Sequence, residues 1–227
     1  MHAPVRLVVF DVNETLSDLS PLRGRFEEVG APGHLLATWF AGVLRDGLAL
    51  TAAGAYADFR DVAEAGLRGL LPGLNGWNGD LDHAVTHILD GFSNLDVHPD
   101  VPHGVEQLHA AGLRLATLTN GATATTERLL ARAGLLEHFE TLLDVSTVRA
   151  WKPAAAAYRY ATDQLTADPA ETLLVAVHPW DIDGARRAGL QAAWLQRGAP
   201  PYPRVMTAPT HTAHDLRELA DVLTRSQ

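Results

Sequence analysis

Residues 7–10, Leu-Val-Val-Phe, form a short apolar run that stops on an acid, Asp11. A run of this length, rich in β-branched residues, reads as a strand buried on both faces, which requires a sheet covered by helices on each side. Similar runs occur at residues 113–118, 142–145, 173–177 and 192–195. Between and after them, residues 105–111, 125–133, 154–165, 183–188 and 215–223 carry apolar side chains at helical spacing. Asp168, Pro169 and Glu171 stand as cap, first and third residues of a further helix start. Strand and helix in alternation predict an α/β fold, a doubly wound parallel sheet with a Rossmann-like core.

The period changes after Thr15. From residue 21 to 92 the apolar residues recur at helical spacing, as in Leu35, Leu36, Trp39, Phe40 and Val43, and glycine-rich breaks divide the stretch into about four helices. A helical block placed after the first strand predicts an inserted cap that closes the site and excludes water. The expected division is a core domain of residues 1–18 and 96–227 and a helical cap domain of residues 19–95.

Charge narrows the partners. With 27 acidic and 18 basic residues the net charge is −9, and no basic cluster breaks the pattern, so neither nucleic acid nor an anionic membrane is an expected partner. The absence of cysteine rules out a thiol nucleophile and suits a reducing compartment. No basic segment followed by a long apolar stretch opens the chain, and no span of about 18 apolar residues is evident. The expectation is a soluble, cytoplasmic protein. His83 with His87 and His211 with His214 have helical spacing, but a metal needs more ligands, so both pairs are read as surface residues.

The candidate chemistry sits at strand ends. Asp11 falls where a central strand gives way to a loop, the ligand crevice of open α/β sheets; the same residue type also caps turns and helices. Residues 115–120 end in Thr119 and Asn120, Lys152 stands between Trp151 and Pro153 at an expected helix start, and residues 173–181 end in His178, Trp180 and Asp181. A strand ending in Asp, a strand ending in Thr, a Lys-Pro and a strand ending in Asp, in that order, resemble the four motifs of the haloacid dehalogenase superfamily. The set spans nearly the whole chain.

That resemblance implies Asp11 as a carboxylate nucleophile that forms an ester with the substrate. It implies Lys152 as its counter-ion, Thr15 as a hydrogen-bonding support, and Thr119 and Asn120, with the backbone amides of Asn120 and Gly121, as donors to an anionic group. Asp181 is left with three roles: holding Lys152, orienting the water of the second step, or binding a metal. Two positions discriminate among branches. Phosphatases of the superfamily place a second Asp two residues after the nucleophile, where this chain has Asn13, and an amide cannot protonate a leaving alkoxide. Where they place a first acidic metal ligand, this chain has Val177 or His178, which weakens a magnesium site.

Both departures resemble the type II 2-haloacid dehalogenase branch, which needs neither metal nor acid because halide leaves unprotonated. The tryptophan before the fourth-motif Asp, here Trp180, and a tyrosine after the Lys-Pro, here Tyr158, are further marks; either is equally a core aromatic. The resemblance implies no cofactor, a short 2-haloalkanoic acid as substrate, and a homodimer. Related carbon–heteroatom hydrolysis, a magnesium-dependent phosphatase and a binding member without turnover are the alternatives. This chain departs from the branch in having Asn13-Glu14 for Tyr-Gly, and Ala176 and His178 for Ser and Asn. It also has Phe40 after Trp39, where the branch carries an arginine; Arg45 is the nearest cation on the same expected helix. His178 is expected to orient water or act as a base, and with Asn13, Phe40, Thr119, Asn120, Tyr158 and Trp180 it makes up the expected substrate-binding set.

Overall fold

The computed structural model describes residues 3–198 and 201–225. Pro200, which opens the proline-rich loop read at residues 200–203, lies outside them. Among the described residues six parallel strands form one sheet in the order β3-β2-β1-β4-β5-β6. They are β1 (Leu7–Phe10), β2 (Arg114–Thr119), β3 (Thr141–Asp144), β4 (Thr172–Ala176), β5 (Gln191–Leu195) and β6 (His211–Ala213). The order reverses direction at β1, so the ends of β1 and β4 flank the topological switch point where such sheets bind ligands.

Alternate residues of the strands feed two separate cores. Val8, Phe10, Leu115, Leu173 and Val175 pack with Val101, Val105 and Leu108 of α5 (Val101–Ala110), Leu129 and Leu130 of α6 (Thr123–Arg132), and Leu216, Leu219 and Leu223 of α9 (Leu216–Thr224). Leu7, Val9, Ala116, Leu118 and Leu174 turn the other way, onto α7 (Ala155–Gln164) and α8 (Pro179–Arg187). Burial on both faces is what made the strand runs continuously apolar.

Some elements differ from the sequence reading. β6 was not expected: three residues, His-Thr-Ala, carry no period, and edge strands are often this short. The start read at Asp168 yields one tight turn, with Ala170 N–H donating to Asp168 Oδ1 at 2.8 Å, because β4 begins at once with Thr172. α8 begins at Pro179, four residues before the expected start, since proline suits a first helical position. Asp181 therefore lies in the first turn of a helix. Lys152 precedes rather than opens α7, in a turn that includes a cis Lys152–Pro153 bond.

Four helices, α1 (Leu22–Glu28), α2 (Leu35–Ala52), α3 (Phe59–Leu70) and α4 (Leu81–Phe92), fill the chain between β1 and α5, with no strand among them. α2 is long and apolar enough to cross a membrane by length and composition, although Arg45 and Asp46 interrupt its apolar run. Its Leu35, Leu36, Trp39, Phe40 and Val43 are buried in the same apolar cluster as α1, α3 and α4. Trp39 Nε1 donates to the Ala63 carbonyl of α3 at 2.9 Å, satisfying the one polar atom of that ring.

Trp151 ties this helical block to the sheet. It is fully buried, stacks on Phe59 at 5.6 Å, and donates from Nε1 to the Ala57 carbonyl (3.1 Å) and from its backbone to Thr51 Oγ1 (3.0 Å). Its ring lies against Gly47 of α2, with no space for a Cβ there. Because Trp151 is held and Lys152 follows it, the packing of the block sets the path of Lys152. Gly47→Ala should therefore destabilise the fold by about 1–3 kcal/mol through overpacking, read as a lower urea midpoint.

Candidate active site

Val12 to Leu16 form a tight loop after β1, with Leu16 and Ser17 amides donating to the Val12 carbonyl. Three distant groups pin it: Val177 N–H donates to Thr15 Oγ1 (3.2 Å), Arg197 to the Thr15 carbonyl (3.1 Å), and His98 Nε2 to the Glu14 carbonyl (3.0 Å). Arg197 is itself held by a bidentate pair with buried Asp100. The nucleophile candidate thus stands on a rigid support. Thr15 Oγ1 donates to Asp11 Oδ2 at 2.6 Å.

Lys152 is the centre of the cluster. Its fully buried ammonium donates to Asp11 Oδ1 at 2.8 Å and to Asp181 Oδ2 at 2.7 Å. Tyr158 completes the set, donating to Asp181 Oδ1 at 2.6 Å. Burial opposes ionisation of Asp11, but Lys152 and then His178 outweigh it and hold the carboxyl far below the usual range. Burial also opposes charge on Lys152, and the two carboxylates outweigh it to raise its pKa. For Asp181 burial wins, helped by repulsion from Asp11, and its pKa rises despite Lys152 and Tyr158.

Asn120 acts on the lysine from the other side. Its Oδ1 accepts from Lys152 N–H (2.8 Å) and its Nδ2 donates to the Lys152 carbonyl (3.3 Å), which fixes the backbone of the lysine. An amide has two N–H groups, so one is left over. Thr119 Oγ1 accepts from Gly121 N–H at 2.9 Å, which removes that amide from the donors expected for a substrate anion.

Asn13, Thr119 and Asn120 line a cavity of about 450 Å³ between the sheet and the helical block. Tyr56, Phe59 and Phe92 supply an aromatic wall, and Arg60, in the first turn of α3, also lines it. Four other expected substrate-binding residues do not. Tyr158 is fully buried and serves Asp181; its hydroxyl is spent. Phe40 is buried, with its ring 6.4 Å from that of His178, and Trp180 stacks on the same imidazole at 5.0 Å. His178 contacts Asp11 Oδ2 (3.3 Å, Nδ1) and Glu14 Oε2 (2.8 Å, Nε2). Arg45 is exposed and paired with its neighbour Asp46, so it does not replace the arginine absent after Trp39.

The haloacid dehalogenase-like hydrolase family matches residues 5–189. The chain belongs to that family. Among its relatives, the (S)-2-haloacid dehalogenase of Pseudomonas sp. strain YL is 28% identical over 221 residues, covering 96% of this chain and 94% of that one. The structure of L-2-haloacid dehalogenase from Xanthobacter autotrophicus superposes with a TM-score of 0.87 at 25% identity, covering 96% and 98% of the two chains. A dehalogenase solved with an intermediate complex superposes at 0.91, also at 25% identity, over 99% of both chains.

Within this hydrolase the sequence reading passed over Glu14 as a contact of His178, and Arg60 altogether. Glu14 was visible only as a departure from Tyr-Gly, and Arg60 lies in a helical face with no motif. Among the described residues no group of three or more His, Cys, Asp and Glu side chains is arranged to hold a metal ion. His83 and His87 stack on each other at 5.8 Å, and His87 pairs with Glu28. Replacing Lys152 by Met should leave two buried carboxylates unpaired and cost about 3–5 kcal/mol, measured by urea unfolding at pH 7, with activity lost as well.

Proposed function

We propose that this hydrolase displaces halide from a short 2-haloalkanoic acid through an ester on Asp11, giving the 2-hydroxy acid. The observation that carries the reading is a buried Asp11 kept ionised by Lys152, with the amide of Asn13 where a phosphatase needs an acid. In the first step an Asp11 oxygen attacks the carbon bearing halogen, and halide departs with the bonding pair. Halide needs no proton, so the missing acid costs nothing. In the second step water adds to the Asp11 carboxyl carbon, and Asp181, aimed by Tyr158 and Lys152, takes its proton. The (S)-2-haloacid dehalogenases among its relatives support this chemistry.

No cofactor enters the scheme. Asp11 Oδ2 is engaged by Thr15 and His178, Oδ1 by Lys152, and both Asp181 oxygens by Lys152 and Tyr158. A magnesium ion demands several oxygen ligands, and among the described residues no group of three or more His, Cys, Asp and Glu side chains is arranged to supply them. The helical block, residues 19–95, acts in this reading as a cap over a core of residues 1–18 and 96–227. Asn13, Thr119 and the remaining N–H of Asn120 receive substrate in the cavity. Arg60, which has no bonding partner among the described residues, meets the substrate carboxylate in place of the absent cap arginine. The setting is the cytoplasm, and the homodimer rests on resemblance to the branch alone.

Chloroacetate and a generic phosphate ester, each assayed with and without chelator, test the proposal. Halide release that chelator leaves unchanged is expected; phosphate release that chelator abolishes contradicts it, and binding of the acid without any release points to a non-catalytic member. Arg60→Ala should raise KM about tenfold or more, the worth of a charge-assisted hydrogen bond, with kcat little changed.

A further inference from the structure

The two ring nitrogens of His178 each face a carboxylate, Nδ1 at 3.3 Å from Asp11 Oδ2 and Nε2 at 2.8 Å from Glu14 Oε2. Ionised carboxylates only accept, and a neutral imidazole carries one N–H, so only the doubly protonated ring satisfies both contacts. Burial disfavours that charge, yet Asp11 and Glu14 outweigh burial and raise the pKa from 6.5 to about 9. These two are the charged groups facing the ring; Phe40 and Trp180, from α2 and α8, are uncharged, and Lys152 reaches it only through Asp11. Glu14 has a φ of 63°, a region that favours glycine. A glutamate held there costs strain, and what it gains is the contact with His178.

The two oxygens of Asp11 are unequal. Oδ2 accepts from Thr15 and faces His178, whereas Oδ1 accepts from Lys152 alone among the described residues. An oxygen with two partners has little left for attack.

Resting on the Asp11-ester reading, we propose that Oδ1 attacks the substrate, and that Oδ2 becomes the ester carbonyl oxygen, with Thr15 and the imidazolium of His178 as its oxyanion hole and Glu14 as the positioning residue. When water adds to the carboxyl carbon, its proton passes to Asp181 and the carbonyl π pair moves onto Oδ2. Both donors already point at that atom, and the longer contact from His178 shortens as charge collects there. Collapse restores the carbonyl and breaks the bond between the carboxyl carbon and Oδ1. The alkoxide takes the proton held by Asp181 and leaves as hydroxy acid, and the hydroxyl proton goes to solvent, regenerating the carboxylate.

Rapid-quench kinetics on a 2-haloacid test this with His178→Phe, which keeps a ring beside Phe40 and Trp180 and removes both N–H groups. Loss of an oxyanion donor slows the step it serves by about 10²–10³-fold. The variant should release one equivalent of halide per site in a burst, accumulate an Asp11 adduct by intact-protein mass spectrometry, and hydrolyse it slowly. Glu14→Gln should move the alkaline limb of the ester-hydrolysis rate to lower pH, because once Asp11 is esterified Glu14 is the carboxylate still facing the imidazolium. Because the folded pKa is the higher one, His178 also contributes stability that is whole below pH 6.5 and lost as pH rises through about 9; the urea midpoint of His178→Phe should lack that decline. Unchanged turnover in His178→Phe, or slow halide release with no adduct, overturns the assignment. No halide and no adduct from the unmodified enzyme overturns the underlying reading instead.

Discussion

A single ammonium group, with no exposed surface, lies between two buried carboxylates. Each of the three charges is costly away from water. They coexist because Asp11, Lys152 and Asp181 neutralise one another in part and because Thr15, Tyr158 and His178 take up remaining lone pairs. The loop after β1, the turn before α7 and the first turn of α8 must all meet at this point, so the sheet order and the packing of Trp151 are conditions of the cluster as much as supports for it.

Much of this was legible in the sequence, for reasons that differ by element. β1, β2, β4 and β5 are buried on both faces, so their runs were continuously apolar, and Asp11, Thr119 and Asp181 stood at or just beyond their ends. The four-motif order then linked residues separated by as many as 170 positions. β6 escaped notice because an edge strand of three residues has no period. The start of α8 was misplaced because His-Pro-Trp-Asp reads as a loop until proline is placed at the first helical position.

The site itself was legible in its centre and less so at its margins. The partners of Lys152 follow from charge. The roles of Asn120 and Tyr158 do not: the fold spends the Tyr158 hydroxyl on Asp181 and all but one N–H of the Asn120 amide on Lys152. The departures were more informative than the matches. Asn13, Glu14 and His178 were noticed separately as residues out of pattern, and in the structure Glu14 and His178 touch each other. One substitution places a carboxylate on a strained backbone, and the other places between it and Asp11 a ring that needs two acceptors.

The central claim is that water reaches the enzyme's own carboxyl carbon rather than the substrate. A single turnover in heavy-oxygen water, with enzyme in excess over a 2-haloacid, separates the two directly. The account predicts that peptide mass spectrometry finds the label in Asp11 and that the hydroxy acid carries none. Label in the hydroxy acid, with Asp11 unlabelled, would contradict it.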